Sequence, residues 1–204
     1  MKKVVSLTLC ALFFIAAFAG CGQKGLVTKF KSGWIGFNLS ADECKDRINE
    51  RIPTDSNKIG ELKTSVNEGE KALSNMEKTV YYSYSNPDGA CHFSIMEDGG
   101  ENKVLSISSD LSTDEASPDA ENTWKETNRA ILRTALPKLS EQKCEEILSE
   151  LGEIDSASRT EGYKKSEEID GVSITLRFTA EDPNKSYTEN TMKLNVIPVQ
   201  PTDK

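Results

Sequence analysis

Two stretches, one in each half of the chain, decide how it is read: LSADECKDRI (Leu39 to Ile48) and LSEQKCEEIL (Leu139 to Leu148). They share Leu, Ser and Cys at the same offsets, and each opens like a helix. Ser40 and Ser140 offer side-chain oxygens to the first free backbone N–H groups, while Asp42, Glu43 and Glu141 put negative charge at the positive end of each helix dipole. Ser40 with Glu43 makes a capping box; the second copy has Lys143 at that place and lacks one. The leucine before each cap and the cysteine in the first turn occupy the two positions of a hydrophobic staple, so Cys44 and Cys144 are expected as matched core residues. The apolar faces continue as Cys44, Ile48, Ile52 and as Cys144, Ile147, Leu148, Leu151, with Gly152 closing the second helix.

Working outward, each helix is followed by turns and alternating residues. In the first half VYYSYS (Val80 to Ser85) is joined by NPDG to CHFSIM (Cys91 to Met96), and EDGGEN leads on to KVLSISSDL (Lys103 to Leu111), a meander signature. Cys91, Phe93 and Ile95 fall on one face, with His92, Ser94 and Met96 on the other. In the second half GYKKSEEI turns at Asp170-Gly171 into VSITLRF (Val172 to Phe178), and MKLNVIPV (Met192 to Val199) follows a polar loop. An edge strand is predicted from about Ile59 to Val66, and a helix from about Asp119 to Leu136, whose stripe is Trp124, Ile131, Leu132 and Ala135 and whose end is enforced by Pro137. The polar stretch Ser112 to Pro118 reads as a domain boundary. The expected fold is therefore α+β, with two tandem modules, each a helix packed on an antiparallel sheet, joined by a helix. The first module spans 33–111, the linker helix and second module 112–198, and a polar tail 199–204.

The N-terminus carries a different message. Lys2 and Lys3 precede an apolar run, VVSLTLCALFFIAAFAG from Val4 to Gly20, and then Cys21. That is the order of a secretory signal, and the run falls short of the ~20 residues that cross a hydrocarbon core. Phe18-Ala19-Gly20-Cys21 resembles the bacterial lipobox, departing from it at Phe18, where the pattern most often has Leu. The resemblance implies that residues 1–20 are a signal peptide, that Cys21 is the lipid-bearing first residue of the mature protein, with acyl chains of the palmitate kind, and that 21–32 is a flexible tether. Two or more chains are what stable anchoring requires. Because Gly22 is not the aspartate associated with inner-membrane retention, the same pattern implies an outer-membrane or cell-surface lipoprotein of the bacterial envelope. At the level of architecture alone, tandem helix-plus-sheet modules behind a secretion signal look like β-lactamase inhibitory proteins and small envelope-assembly lipoproteins, which implies protein binding.

Composition excludes several functions. The formal charge is −8, and a leader holding two lysines and no acid would leave the mature chain more acidic still, so nucleic acid is not an expected partner. With no basic cluster near the anchor, acyl chains rather than anionic lipid hold the chain to a membrane. Only 36% of residues are hydrophobic, which bounds the core. No CxxC or HxxxH spacing occurs and His92 is the single histidine, so neither a metal site nor a cofactor is expected. The same histidine would have to serve any Ser-His-Asp or Cys-His site, and it sits among ordinary sheet positions. Neighbouring acids such as Glu145 with Glu146 and Glu167 with Glu168 point in different directions.

Beyond Cys10 and Cys21 the cysteines are Cys44, Cys91 and Cys144. A Cys44–Cys91 disulfide, a Cys44–Cys144 disulfide and three buried free thiols are the options. The functional expectation is a non-enzymatic, membrane-anchored protein-binding or envelope-assembly module, with Tyr81, Tyr82 and Tyr84 as candidates for the partner face. The alternatives are capture of a small ligand between the modules and an envelope hydrolase using a carboxylate pair.

Overall fold

The two serine caps start helices as the sequence indicates. In the computed structural model, which describes residues 26–114, 116–153, 158–181 and 189–200, helix α1 (Ala41–Asn49) opens with Glu43 N–H donating to Ser40 Oγ at 3.2 Å and Ser40 N–H donating to Glu43 Oε2 at 2.9 Å. Helix α3 (Glu141–Leu151) opens with Lys143 N–H donating to Ser140 Oγ at 3.2 Å, and ends at Gly152, whose φ of 88° suits glycine. Between them in sequence and in space lies α2 (Pro118–Ala135), capped by Ser117 and started by Pro118. Its stripe of Trp124, Ile131, Leu132 and Ala135 is buried, as are Cys44 with Ile48 on α1 and Cys144 with Ile147 and Leu148 on α3. Each large side chain so buried contributes roughly 1.5–3 kcal/mol. The stretch expected to be a signal peptide, Cys21 and residues 201–204 lie outside the described residues.

The strands are β1 (Val27–Lys29), β2 (Ile35–Phe37), β3 (Lys63–Glu68), β4 (Lys78–Ser85), β5 (Cys91–Asp98), β6 (Lys103–Ser112), β7 (Lys164–Ile169), β8 (Val172–Thr179) and β9 (Thr191–Pro198). Among the described residues they make one antiparallel sheet in the order β3-β4-β5-β6-β9-β8-β7, with β2 joined to the start of β6 and carrying β1. The α+β class is as expected. The two runs of strands, however, do not form separate sheets: β6 pairs with β9 from Ile107 with Val196 to Ser112 with Thr191. Leu111 and Ile107 therefore share a core with Met192, Leu194, Val196, Ile174 and Leu176, beneath all three helices. The turn at Asp170-Gly171 has φ of 50° and 76°, the paired positive values of a tight hairpin that glycine tolerates.

Two other expectations are revised. The presumed tether holds β1 and Phe30, which is buried with Met76 and Leu105 in a second small cluster against Trp34 and Met96. Its place is prepared by a bulge: the register shifts between Met96 and Glu97, so Leu105 is left between Ser106, opposite Met96, and Val104, opposite Glu97. Val104 stays in the main core while Leu105 joins the small one. The edge strand begins at Lys63 rather than near Ile59. Both backbone groups of Ile59 are taken by the Asn49 side chain, N–H to Oδ1 at 2.8 Å and Nδ2 to the carbonyl at 2.9 Å, so this residue has no ladder bonds to give.

Of the options open for the thiols, the free one holds among the described residues: Cys44, Cys91 and Cys144 are unbonded and buried. Ala41 N–H bonds Glu97 Oε2 at 2.8 Å, which sets the first turn of α1 over the end of β5. Cys91 opens that strand, about 20 Å away at the usual rise per residue. Its Sγ donates instead to the Ala120 carbonyl at 3.1 Å. Cys44 and Cys144 lie on helices separated by α2. Burial pushes the thiols up, to about 12 for Cys44 and Cys91 and about 11 for Cys144, so all three are unreactive at neutral pH.

Among the described residues Glu97, Asp98 and Glu153 are buried, and Glu97 and Glu153 meet the helices. Glu97, 3% exposed, accepts from Ala41 N–H and from Tyr82 Oη at 3.3 Å, and so serves as a second cap on α1. Glu153, 4% exposed, follows the α3 terminus and accepts from Asn128 Nδ2 at 2.7 Å, while Ser109 Oγ donates to Asn128 Oδ1. This chain ties β6, α2 and the end of α3 together. Burial pushes Glu153 up to about 7, helped by Glu145 and opposed by the Asn128 bond, Arg129 and Lys125. A carboxyl whose pKa is raised by folding stabilises the protein below its unfolded value near 4.5, and that stabilisation is lost as pH climbs towards 7. Glu153→Gln, which keeps the acceptor for Asn128, should therefore match wild type at pH 4 and exceed its unfolding free energy at pH 8 by on the order of 2 kcal/mol. Urea titrations at the two pH values check this; a Gln variant no more stable at pH 8 would contradict it.

Candidate functional site

Alternation along the strands gives the sheet two faces. One carries Phe93, Ile95, Ile107, Leu111, Leu194, Val196, Ile174 and Leu176 and is covered by α1, α2 and α3. The other has no helix on it, and its small cluster around Phe30 covers only the end of the sheet near Leu105. On the uncovered face the register aligns Lys63, Ser83, Ser94, Ser108, Asn195, Thr175 and Ser166 in one row running from β3 to β7. At about 4.8 Å between strands the row is roughly 30 Å long. After Lys63 every member is a neutral hydroxyl or amide. Ser94 and Ser108 share a hydrogen bond of 2.8 Å, as do Ser166 and Thr175, which holds these side chains to the sheet surface.

The adjacent row is Ser85, His92, Asp110, Lys193, Arg177 and Lys164. Ser85 Oγ and His92 Nδ1 are 2.8 Å apart, and Lys193 Nζ lies 3.0 Å from Asp110 Oδ1. His92 is exposed and engaged only with this serine hydroxyl among the described residues. The tyrosines split as the alternation requires. Tyr82 and Tyr84 pack against the main core beneath the helices, and Tyr81, opposite Met96, is the one on the uncovered face.

An open hollow of about 420 Å³ beside β3 and β4 is lined by Glu61, Leu62, Lys63, Ser83, Tyr84 and Ser85. A cavity of about 20 Å³ lies under Tyr84, Cys91, His92, Trp124 and Thr127, room for a single water-sized molecule. A groove of about 230 Å³ on the outside of the helices is lined by Arg51, Arg129, Arg133, Glu141 and Glu145. Two of its three cations are answered by acids, Arg129 Nε to Glu145 at 3.4 Å and Arg133 to Glu141 at 3.8 Å, while Arg51 donates to the Arg47 carbonyl at 2.6 Å. A carboxyl pair does form: burial and the neighbouring Glu150 raise the pKa of Glu167, and Lys143 opposes them. It sits on the outer edge between α3 and β7, where Glu150 is exposed, and lines none of these hollows. At the junction of the two halves, the place a ligand caught between two modules would occupy, β6 and β9 are hydrogen-bonded neighbours.

Among the described residues no group of three or more His, Cys, Asp or Glu side chains is placed to hold a metal ion, and no helix is long and apolar enough to cross a membrane. Comparison with family models, with curated proteins and with solved structures finds no match to this chain. None of the residues in the two polar rows stands out in the sequence as a site, because they come from strands far apart in the chain and only the register lines them up.

The two faces predict opposite responses at neighbouring positions. Ile174 is buried under the helices and Thr175 is on the uncovered face. Ile174→Glu should cost more than about 4 kcal/mol or prevent folding, since it buries an unpaired charge. Thr175→Glu should change stability by less than about 1 kcal/mol. Thermal melts followed by circular dichroism separate the two, and similar losses at both positions would contradict the face assignment.

Proposed function

We propose that this chain is a lipid-anchored protein of the bacterial envelope, without catalysis of its own, that presents the uncovered face of its sheet to a protein partner. The observation that carries the proposal is that face: seven strands across, crossed by a row of hydroxyl and amide groups, and carrying none of the three helices, which pack on the other side. A sheet face of that width approaches the roughly 800 Å² per partner of ordinary specific interfaces. Ser, Thr and Asn side chains already lying on the surface form hydrogen bonds to a partner at small cost in rotamer entropy.

The anchor rests on Lys2 and Lys3, the apolar run that follows and the Phe18-Ala19-Gly20-Cys21 stretch. With β1 beginning at Val27, any tether is short, and the folded part sits close to the bilayer. Against catalysis stand the positions of the perturbed acids: Glu97 caps α1, Glu153 bonds Asn128, and the Glu150–Glu167 pair is outside any cleft among the described residues.

Two experiments test the proposal in the cell of origin. Cys21→Ser should release the protein from membranes or stall it as an unprocessed precursor while leaving the circular dichroism spectrum unchanged; unaltered anchoring and processing would overturn the lipid assignment. A photo-crosslinking residue at Ser83 or Thr175 in the lipidated protein should yield a discrete protein adduct, and the same residue at Gln142 on α3 should not. Adducts from Gln142 alone would overturn the assignment of the face.

A further inference from the structure

We infer that the partner presents carboxylate groups, and that they dock on the β9-β8-β7 part of the uncovered face, against Lys193, Arg177, Lys164 and the hydroxyl row beside them. This rests on the reading of that face as the binding surface. The register places Lys193 opposite Arg177 and Arg177 opposite Lys164, three cations abreast on three adjacent strands. Like charges directly opposite one another weaken a sheet. In a chain with 33 acidic residues against 25 basic ones, a consecutive row of three cations is the reverse of what composition would supply.

Lys193 is answered by Asp110 at 3.0 Å, but among the described residues neither Arg177 nor Lys164 forms an ion pair, and both are exposed. The next acid on this face of β7 is Glu168, beyond Ser166 and opposite Ser173. The groove on the helix layer carries acids among its cations, Glu145 beside Arg129 and Glu141 beside Arg133, with Arg51 alone there outside an ion pair among the described residues, whereas no acid stands between Lys193, Arg177 and Lys164.

The chemistry of the patch fits a carboxylate. Arg177 offers a planar fork of N–H donors that matches two carboxylate oxygens, and Lys164 adds a point charge. Thr175, Ser166 and Asn195 stand in the adjoining row to donate further hydrogen bonds. The net acidity of the chain sharpens the docking, because it repels an acidic partner from the acid-rich surface and leaves this row of cations to attract it, which orients the encounter.

The test uses the folded chain with fluorescein-labelled hexaglutamate as probe and a Ser-Gly hexapeptide as control, read by fluorescence anisotropy at low ionic strength. Hexaglutamate should bind saturably and more tightly than the control. The Lys164→Glu/Arg177→Glu double variant, changed only at exposed positions, should lose about tenfold or more in affinity. Amide shifts on titration should be largest at Ser166, Thr175, Arg177, Lys193 and Asn195. Equal binding of the two peptides, an unchanged affinity in the double variant, or shifts gathered at Arg51, Arg129 and Arg133 would each overturn the inference. Photo-crosslinking from Thr175 in cells separates this failure from that of the reading beneath it. A partner adduct that persists at full yield in the double variant removes the carboxylate chemistry but leaves the face, whereas no adduct from this face in the wild type removes both.

Discussion

The pairing of β6 with β9 is the interaction on which the rest of the structure depends. Those strands come from opposite halves of the chain, and each half by itself would be a small sheet with a helix and an unsatisfied edge. Joining them from Ile107 with Val196 to Ser112 with Thr191 turns two marginal units into one broad sheet with a single core. It also decides where the helices go. α2 follows β6 directly and lies across the seam, touching both β6 and β9, and α1 and α3 flank it. The Ser109, Asn128 and Glu153 chain then fastens the seam from within, linking the sheet to α2 and to the end of α3.

Placing all three helices on one side has a consequence for the other. A half-buried antiparallel sheet needs apolar residues only on its covered face, so the second face is free to be polar. Here two polar rows cross it, and its apolar residues gather around Phe30 and Leu105. The rows of hydroxyl, amide and charged groups exist as rows only because six consecutive strand pairings hold their register. A slip of one residue in any strand would exchange its polar and apolar sets, and burial of residues such as Leu194 and Ile174 makes that slip costly. Packing on one face thereby fixes the geometry of the other.

Much of the local structure is legible in the sequence because it is written in local signals. Ser40, Ser140 and Gly152 mark helix ends by backbone hydrogen bonding, Pro118 and Pro137 bracket α2, and alternation in CHFSIM and VSITLRF identifies strands with their inward residues. The pairing of β6 with β9 leaves no such mark, since the two strands lie far apart in the chain and either could have been an edge. β1 and β2 are too short for a period-two pattern to register. Glu97 and Glu153 read as ordinary surface acids until the fold encloses them. The two polar rows escape for the same reason as the seam: Ser83, Ser94, Ser108, Asn195, Thr175 and Ser166 are unremarkable singly and become a surface only through long-range pairing. Cys44 and Cys144 show the reverse. Their matched positions in the repeated helix starts correctly signal burial, whereas the choice between a bond to Cys91 and free thiols stays open in the sequence because the direction of α1 over β5 is not encoded locally.

That the two halves fold as one sheet is tested most directly by native-state hydrogen exchange, comparing the slowest amides of β5 and β6 with those of β8 and β9. A shared core and the β6–β9 ladder require both groups to exchange only through the same global opening, with equal free energies and the same dependence on denaturant. A plateau for β8 and β9 at a distinctly lower free energy than for β5 and β6 would mean two independently unfolding modules and would contradict the account.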